Sequence, residues 1–288
     1  MLRRFLLCTL LILMGFTASG QDAYRVLFAG GRSYVALENR FSKLHTGQKL
    51  DSNAELELVG NSRVVLMDES GRLMSLGLSG RYALQDLGNA ISGDSSVFFK
   101  EVWDQYFKRQ DAMNSVQETL LASASQTYFE LSIPSSSQIF GHRQILEWPD
   151  LSQAGYELRL INEFGETFRT LSLTSPRLDL DMLASDLVFK TEVTLQVYRK
   201  DSGQRSPLYV LHKLSPPDYE DLDRLLKQHF QGNQFELLLT KAAFFENQWL
   251  FGDAQTVLQQ MRNEYGNLMD DFWKNYLFRN GFYAMSRR

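Results

Sequence analysis

Apolar and polar residues alternate with a period of two along the N-terminal part of the chain, from Tyr24 to Leu87. Turn signals rich in glycine interrupt this alternation about every nine residues, which is the rhythm of a small antiparallel sandwich or barrel. Glycine and asparagine tolerate positive φ, so these positions are predicted to be turns. The predicted strands cover residues 24–29, 33–37, 54–59, 63–67, 72–76 and 81–84, and the turns include Gly30-Gly31, Gly47, Gly60-Asn61, residues 69–71 and Ser79-Gly80.

A helical pattern follows the last of these strands. Residues 94–96 are Asp-Ser-Ser, types that cap helix N-termini, and the predicted helix runs to about residue 115. Aromatic side chains, Trp103 among them, recur at spacings of three and four and form a wide apolar stripe. We expect this stripe to pack on its own β domain; the alternative is a groove-binding face for a partner. Residues 115–125 are predicted to be a linker or a frayed helix end.

Between Thr127 and Leu214 the period returns to two. About seven short strands, one of which contains Trp148, fit a sandwich of two sheets. A tryptophan in such a strand is expected to be a core anchor rather than a ligand platform. Trp148 and the later Tyr156-x-Leu158-x-Leu160 resemble fibronectin type III and related bacterial modules, so an immunoglobulin-like sandwich is expected. No cysteine pair supports a true immunoglobulin domain.

Helices are predicted after Ser215-Pro216-Pro217, a boundary at which proline removes an amide donor and favours an extended approach. Apolar residues recur at helical spacing beyond it, and Gly232-Asn233 and Gly252-Asp253 are predicted to separate the helices. The central pair of helices resembles one tetratricopeptide repeat, in which small residues let two antiparallel helices approach. The residues that carry this resemblance are Ala242, Phe245, Ala254, Leu258 and Met261.

The N-terminal segment contains four motifs in order: Leu44-x-x-Gly47-x-x-Leu50, Leu56-x-Leu58, residues 61–66 and the turn at residues 68–71. This order of turns and apolar pairs resembles the FecR-like β domain of bacterial envelope proteins. That family is generally non-enzymatic, and it occurs in transmembrane signalling regulators and in surface or periplasmic multidomain proteins. The regulators' cytoplasmic segment and transmembrane helix have no counterpart here, so a sigma-factor-regulating role is not expected. The resemblance implies a β module in the envelope.

The first twenty residues have the pattern of an export signal. Two arginines precede an apolar run over residues 5–16, and small residues end at Gly20, so cleavage is expected before Gln21. A transmembrane anchor is the competing interpretation, but this run is shorter than the roughly 20 apolar residues that span a bilayer. Cys8 lies inside the run without a lipobox, so the mature chain is expected to contain no cysteine and hence no disulfide or thiol nucleophile.

Composition narrows the class of partner. The 288 residues are 44% hydrophobic and 22% charged, which is normal for globular protein and allows two or three domains. The formal net charge is −4, and loss of two arginines with the signal makes the mature chain more acidic. An acidic surface argues against nucleic acid as a partner. Membrane contact is expected only through the signal before cleavage.

Motifs that carry chemistry were sought among the histidines and carboxylates. The four histidines, at positions 45, 142, 212 and 229, do not lie at metal-ligand spacing. Asp179-x-Asp181 and Asp218-x-x-Asp221-x-Asp223 are the densest carboxylate groups, and a calcium site or a glycosidase pair was weighed for them. A strand edge for the first and a favourable helix-dipole position for the second are the preferred interpretations. No nucleophile elbow, phosphate loop or dinucleotide fingerprint occurs, so no cofactor is expected.

The sequence therefore predicts a mainly β protein with α-helices, exported to the periplasm or the cell surface. Its expected parts are a signal peptide (1–20), a FecR-like β domain with the following helix (21–123), a sandwich (124–215) and a helical tail (216–288). The expected role is non-catalytic, as a scaffold or adaptor for envelope proteins. The alternatives are a binding protein for cell-wall or other polysaccharide and a glycan hydrolase. The candidate interaction residues are Trp103, Phe245 and Trp249.

Overall fold

The structure is a computed structural model that describes residues 22–37, 40–87, 96–120 and 129–282. The predicted export signal at residues 1–20 and the residues 121–125 of the predicted linker lie outside this part of the chain. Strands and helices both contribute to the fold, which confirms the predicted mixture of β with α. The chain forms two compact units, Met1–Lys100 and Glu101–Arg288. The division into three independently folding parts after the signal stays a prediction.

The first unit contains one antiparallel sheet of six strands. Two long strands, β1 and β4, pair along most of their length, and the shorter strands pair with one or the other of them. Leucine and valine side chains from both long strands form its core. The elements are β1 (Asp22–Leu37), β2 (Arg40–Lys43), β3 (Lys49–Asp51), β4 (Glu55–Asp68), β5 (Leu73–Leu76), β6 (Gly80–Ala83) and the single helical turn α1 (Leu84–Leu87).

Two of the predicted turns are wrong, because Gly30-Gly31 lies inside β1 and Gly60-Asn61 lies inside β4. The pairing of β1 with β4 shifts register between Gly30 and Arg32, so the glycines form an irregularity within the ladder. Gly31 has a φ of 74°, and a Cβ there would lie 2.5 Å from the carbonyl oxygen of Asn61. The backbone N–H of Arg32 donates to Ser62 Oγ at 2.9 Å. Each long strand therefore continues through the glycines instead of ending at them.

The helix predicted after the β domain is present as α2 (Val97–Leu120). The backbone N–H of Phe99 donates to Ser96 Oγ at 3.2 Å, which confirms that Ser96 caps this helix. The helix is longer than predicted and continues through the first part of the expected linker. From Glu101 onward it belongs to the second compact unit.

The second unit contains a β-sandwich built from a five-stranded and a two-stranded sheet. The larger sheet has the order β10-β9-β12-β13-β7, in which β7 and β13 are parallel, and the smaller pairs β8 with β11. Trp148 is buried in the shared core, and its ring meets that of Tyr156 edge-on at 5.5 Å, as expected for a core anchor. The strands are β7 (Ser136–Ile139), β8 (Arg143–Glu147), β9 (Tyr156–Ile161), β10 (Thr167–Leu173), β11 (Arg177–Asp181), β12 (Glu192–Arg199) and β13 (Tyr209–Lys213).

Helices follow the sandwich, as predicted, and the described residues contain four of them. Ser215 caps the first of them, accepting from the backbone N–H of Asp218. Gly252-Asp253 does not separate helices, contrary to the prediction; it lies in the first turn of α5, and the break falls at residues 248–250. The helices are α3 (Pro216–His229), α4 (Phe235–Asn247), α5 (Phe251–Tyr265) and α6 (Asp270–Arg279), with a 3-10 turn at Gly266–Met269.

Asp253 joins α5 to the sandwich. Its buried carboxylate accepts the backbone N–H groups of Phe140 at 2.9 Å and Gly141 at 2.6 Å, and the side-chain amide of Gln144 at 3.1 Å. A buried charge is tolerated only when it is hydrogen-bonded in this way. Burial raises the pKa of Asp253, and these hydrogen bonds act against that rise. The carboxylate of Asp253 thus holds α5 to the sandwich by accepting hydrogen bonds from several donors.

Helix α2 packs on the helices at the C-terminal end of the chain. Trp103 is fully buried, and its indole N–H donates to Oγ1 of Thr240 in α4 at 3.0 Å. The side-chain amide of Asn247 donates to the backbone oxygen of Val102 at 2.8 Å. The apolar stripe was predicted to pack on its own β domain, and this is wrong for Trp103, which is bonded to α4 within the second unit. Sequence patterns report that a face is buried without reporting what covers it.

Candidate functional site

A cleft of about 370 Å³ opens beside the turn between α4 and α5. We call it the Trp249 cleft. It is assembled from helix α2, from β7 and the residues before it, from β13, from the α4–α5 turn and from the end of α6. All of these segments belong to the second compact unit. The lining residues are Arg109, Pro134, Ser136, Gln138, His212, Trp249, Phe251 and Asn280.

The backbone of Trp249 is strained. Its φ is 62°, and among the described residues it is the only one other than glycine with a positive φ. The N–H of Trp249 donates to the oxygen of Glu246, and the N–H of Leu250 donates to that of Phe245, which is the Schellman arrangement at the end of a helix. Glycine usually occupies this left-handed position, and a bulky residue there is a true outlier. A tryptophan is therefore held where the backbone disfavours it.

The ring of Trp249 is exposed but held in position. Its side chain is 64% exposed. The guanidinium carbon of Arg109 lies 4.3 Å from the centre of the indole ring, and the ring of Phe251 meets it edge-on at 5.8 Å. Stacking of arginine on tryptophan is a cation–π interaction, and an edge-on aromatic contact adds to it. The cleft therefore offers an ordered aromatic surface to a ligand.

Arg109 is positioned by two polar contacts. One terminal N–H group donates to the side-chain oxygen of Asn280 at 3.1 Å, and the other donates to the backbone oxygen of Glu246. Asn280 is itself held, because its amide donates to the Glu246 carboxylate at 3.1 Å. Burial lowers the pKa of Arg109, and the neighbouring Glu246 acts in the opposite direction. An arginine remains charged under these conditions, so the cleft has a cation at its base.

A buried ion pair lies beneath Arg109. Both carboxylate oxygens of Glu246 accept from the guanidinium of Arg279, each at 2.8 Å, and both side chains are almost completely buried. This two-point geometry is the strongest form of such a pair. We call Arg109, Glu246 and Arg279 the charge cluster. It joins α2, α4 and α6 below the cleft.

Polar side chains line the side of the cleft opposite the helices. Ser136 and Gln138 are two positions apart on β7 and so lie on the same face of the strand. His212 of β13 is paired with Gln138 in the sheet, and its Nε2 lies 3.2 Å from Ser136 Oγ. Its Nδ1 lies 3.3 Å from a carboxylate oxygen of Glu192. This side therefore offers neutral and weakly basic hydrogen-bonding groups.

The three interaction residues expected from the sequence fall in different surroundings. Trp103 and Phe245 are buried, because the first is covered by α4 and the second packs against other aromatic rings, including that of Phe140 at 6.2 Å. Trp249 is the one of the three with an exposed ring. No sequence pattern pointed to Arg109 or Asn280, whose side chains meet across 171 positions of the chain.

The carboxylates considered for a calcium or hydrolase site have other partners. Asp179 accepts from Nε of Arg143 at 3.1 Å and from a second guanidinium nitrogen of that residue. Asp181 accepts the backbone N–H of Leu183 at 2.9 Å. A groove of about 570 Å³ runs beside Asp179, but Asp181 does not line it. In the described part of the chain, no three histidine, cysteine or acidic side chains come together as a metal site would require.

Exposed aromatic rings also occur at one tip of the sandwich. Phe164, in the turn between β9 and β10, is 79% exposed, and Phe189, before β12, is 93% exposed. Phe189 borders a shallow depression lined by Glu163, Asp186, Lys190 and other residues. Asp186 is paired with Arg169 at 3.2 Å.

Comparison with known proteins adds little to this description of the cleft. No protein-family model matches the chain, and no curated protein matches it. One solved structure, described as "Ca2+-stabilized adhesin helps an Antarctic bacterium reach out and bind ice", is 13% identical, with a TM-score of 0.19. The similarity covers 69% of this chain and 42% of that one, so the chain spans less than half of the adhesin structure. A TM-score this low carries no argument about fold or function. Among the described helices, none is both long and apolar enough to cross a bilayer.

Proposed function

We propose that this protein is a non-catalytic, exported envelope protein that acts as a scaffold or adaptor and holds a partner protein at the Trp249 cleft. The observation that carries the proposal is the exposed ring of Trp249 stacked on Arg109. Tryptophan and arginine are the residues most enriched among those that dominate the energy of protein–protein interfaces. Here the two lie in one cleft, already in contact.

Pre-organisation supports the same role. Binding is weakened by the entropy lost when side chains become ordered, so groups that are fixed beforehand bind more strongly. The turn that carries Trp249 is closed by two backbone hydrogen bonds, and Arg109 is held by Asn280 and by the backbone of Glu246. The strain at Trp249 is an outlier of the kind found at binding sites. Its persistence supports a role for the ring in recognition.

A rigid support for the cleft fits a scaffold. Asp253 connects α5 to the sandwich through three hydrogen bonds, and Trp103 connects α2 to α4. Sites carried by packed secondary structure hold their geometry better than sites on loops. The cleft is bordered by segments from both the sandwich and the helices, so these contacts fix its shape.

Glycan binding is the second candidate function. Ser136, Gln138 and Asn280 place neutral hydrogen-bonding groups around an aromatic ring, a combination that also suits a sugar. A glycan hydrolase has less support, because Asp179 is ion-paired with Arg143 and Asp181 accepts a backbone N–H. We propose that the protein is not an enzyme.

Site-specific photo-crosslinking in the producing cells tests the proposed function. A photoreactive phenylalanine analogue replaces Trp249 in one variant and Leu208, an exposed residue of the sandwich, in the control. We expect discrete adducts with envelope proteins from position 249 and none of the same mass from position 208. Adducts with polysaccharide alone would support the glycan-binding alternative and contradict the adaptor role. Identical products from both positions would also contradict it.

A further inference from the structure

The charge cluster below the Trp249 cleft has an excess of one positive charge. Arg109 and Arg279 are cations, and Glu246 is the single carboxylate between them. Both oxygens of that carboxylate are bonded to Arg279, whereas Arg109 contacts only the backbone oxygen of Glu246. Within the described residues, Arg109 forms no ion pair within 4.0 Å. Its charge is therefore left for a group that enters the cleft.

The donors of Arg109 are also only partly used. A guanidinium has five N–H donors in a planar fork, and the hydrogen bonds to Glu246 and Asn280 within the described structure engage two of them. The fork is fixed against the faces of two aromatic rings, at 4.3 Å from the centre of Trp249 and 5.1 Å from that of Phe251. A fixed guanidinium fork matches the geometry of a carboxylate.

An apolar surface lies beside this cation. The indole of Trp249 is the largest exposed ring in the cleft, and the cleft volume of about 370 Å³ accommodates one or two side chains rather than a folded element. Among the described lining residues, the other titratable group is His212, whose Nδ1 lies 3.3 Å from Glu192. A small ligand in the cleft can therefore contact the indole of Trp249 and the unused N–H donors of Arg109 at the same time.

We infer that the Trp249 cleft recognises a short peptide segment of the partner protein in which an apolar side chain lies next to a carboxylate. The apolar side chain packs on the indole, and the carboxylate accepts from Arg109. The carboxylate belongs either to an Asp or Glu side chain or to a chain terminus. This inference rests on the proposed function, since it specifies the chemistry of the partner at the same site.

Tryptophan fluorescence provides a direct binding assay with the whole protein. Of the four tryptophans, Trp103, Trp148 and Trp273 are buried and Trp249 is exposed, so a ligand in the cleft changes mainly the signal of Trp249. The probes are short N-acetylated peptides in matched sets. Peptides of the first set end in Phe with a free C-terminal carboxylate, and their neutral partners end in Phe with a C-terminal amide. Peptides of the second set end in Phe-Asp with an amidated C-terminus, and their neutral partners have Asn in place of Asp.

We expect at least one acidic peptide to bind about tenfold tighter than its neutral partner, because a charge-assisted hydrogen bond is lost in the latter. The set that shows the difference identifies the source of the carboxylate. Arg109→Gln should abolish the difference. Trp249→Ala, whose binding is measured by isothermal titration calorimetry because the variant lacks the reporting ring, should weaken the binding of acidic and neutral peptides alike. Arg262→Gln is the matched control, since Arg262 lies 5.1 Å from the Trp273 ring in a similar contact outside the cleft.

The comparison of acidic with neutral peptides on the unaltered protein does not depend on whether Arg109→Gln folds. Equal affinity for acidic and neutral peptides would overturn the inference while leaving the adaptor role intact. Binding of oligosaccharide in place of every peptide would overturn both. The absence of measurable binding by any peptide, with protein adducts still formed at position 249, would overturn the inference alone.

Discussion

The indole N–H of Trp103 donates a 3.0 Å hydrogen bond to Oγ1 of Thr240, across 137 positions of the chain. Both side chains are fully buried. Thr240 Oγ1 in turn donates to the backbone oxygen of Glu236 in its own helix, so neither polar group is left unpaired. This bond therefore joins α2, which precedes the sandwich in the chain, to α4, which follows it.

Replacement of Thr240 by Val should destabilise the second unit by about 1–3 kcal/mol, because it leaves the buried indole N–H of Trp103 without an acceptor. Val has nearly the same shape, so little packing is lost. All four tryptophans lie beyond Glu101, so unfolding in urea followed by their fluorescence reports on this unit. Thr174→Val, at an exposed position, is the control and should change the free energy of unfolding by less than about 0.5 kcal/mol.

Asp253→Ala should lower the free energy of unfolding by on the order of 3 kcal/mol, because the part-buried backbone N–H groups of Phe140 and Gly141 lose their acceptor. The same fluorescence measurement applies. Asp271→Ala removes an exposed carboxylate from the first turn of α6 and should lower the free energy of unfolding by well under about 1 kcal/mol. Equal effects of the two substitutions would show that the hydrogen bonds of Asp253 contribute little to the joint between helix and sandwich.

Gly31→Ala should weaken the first unit more than Gly60→Ala does. Both glycines have positive φ, so each substitution strains the backbone by about 1–2 kcal/mol. Only at Gly31 would the new Cβ also lie within 2.5 Å of a backbone oxygen; at Gly60 the nearest atom is 3.5 Å away and belongs to a flexible side chain. Hydrogen–deuterium exchange of the β1 and β4 amides measures the difference. Faster exchange in Gly60→Ala than in Gly31→Ala would refute the close-approach argument.

We expect the first unit to become less stable at acidic pH because the carboxylate of Asp68 becomes protonated. Burial acts to raise the pKa of Asp68, but hydrogen bonds from Ser70 and Arg72, with the Arg72 charge 2.6 Å away, outweigh it and hold the pKa below its ordinary value. A carboxylate with a lowered folded pKa stabilises the fold above its unfolded pKa of about 3.9 and loses that effect as the pH falls through the folded value.

We therefore expect protection of the β4 and β5 amides against hydrogen exchange to fall as the pH drops below about 4. Asp68→Asn should remove part of that decrease and lower protection at neutral pH. Asp51→Asn, which alters an exposed carboxylate at the end of β3, should leave the pH profile unchanged. A profile that is the same in the protein and in Asp68→Asn would contradict the assignment.

Trp249→Gly should be more stable than Trp249→Ala by about 1–2 kcal/mol, because both remove the ring but only glycine is free of strain in the left-handed conformation. Both variants should bind the peptides more weakly than the unaltered protein in isothermal titration calorimetry. Circular dichroism during urea unfolding gives the two free energies. A glycine variant less stable than the alanine variant would show that the backbone at residue 249 is not strained.

Much of the fold was predictable because its signals are local. Alternation gave the strands, and Ser96 and Ser215 marked the starts of two helices. Gly30-Gly31 and Gly252-Asp253 were misassigned for a physical reason. A glycine is equally compatible with a turn, a bulge or a helix start, and the choice depends on what pairs with it across the sheet or packs against it.

The candidate site was predictable only in part. Trp249 was predicted to be an interaction residue and its ring is exposed, but Trp103 and Phe245 were grouped with it because exposure cannot be deduced from residue type. Arg109 was not recognised, since its role depends on Asn280 and on a turn far away in the sequence. Contacts between residues this far apart produce no periodic pattern of apolar and polar residues in the sequence.

The position of Asn280 makes the orientation of Arg109 depend on a helix that is synthesised much later. Arg109 is made before the sandwich and Asn280 after α6, yet the guanidinium that lines the cleft is oriented by the bond between them. A chain cut before α6 contains Trp249, Ser136 and Gln138 but lacks the side chain that orients Arg109. Such a fragment should therefore compete poorly with the uncut protein for the proposed peptide ligand.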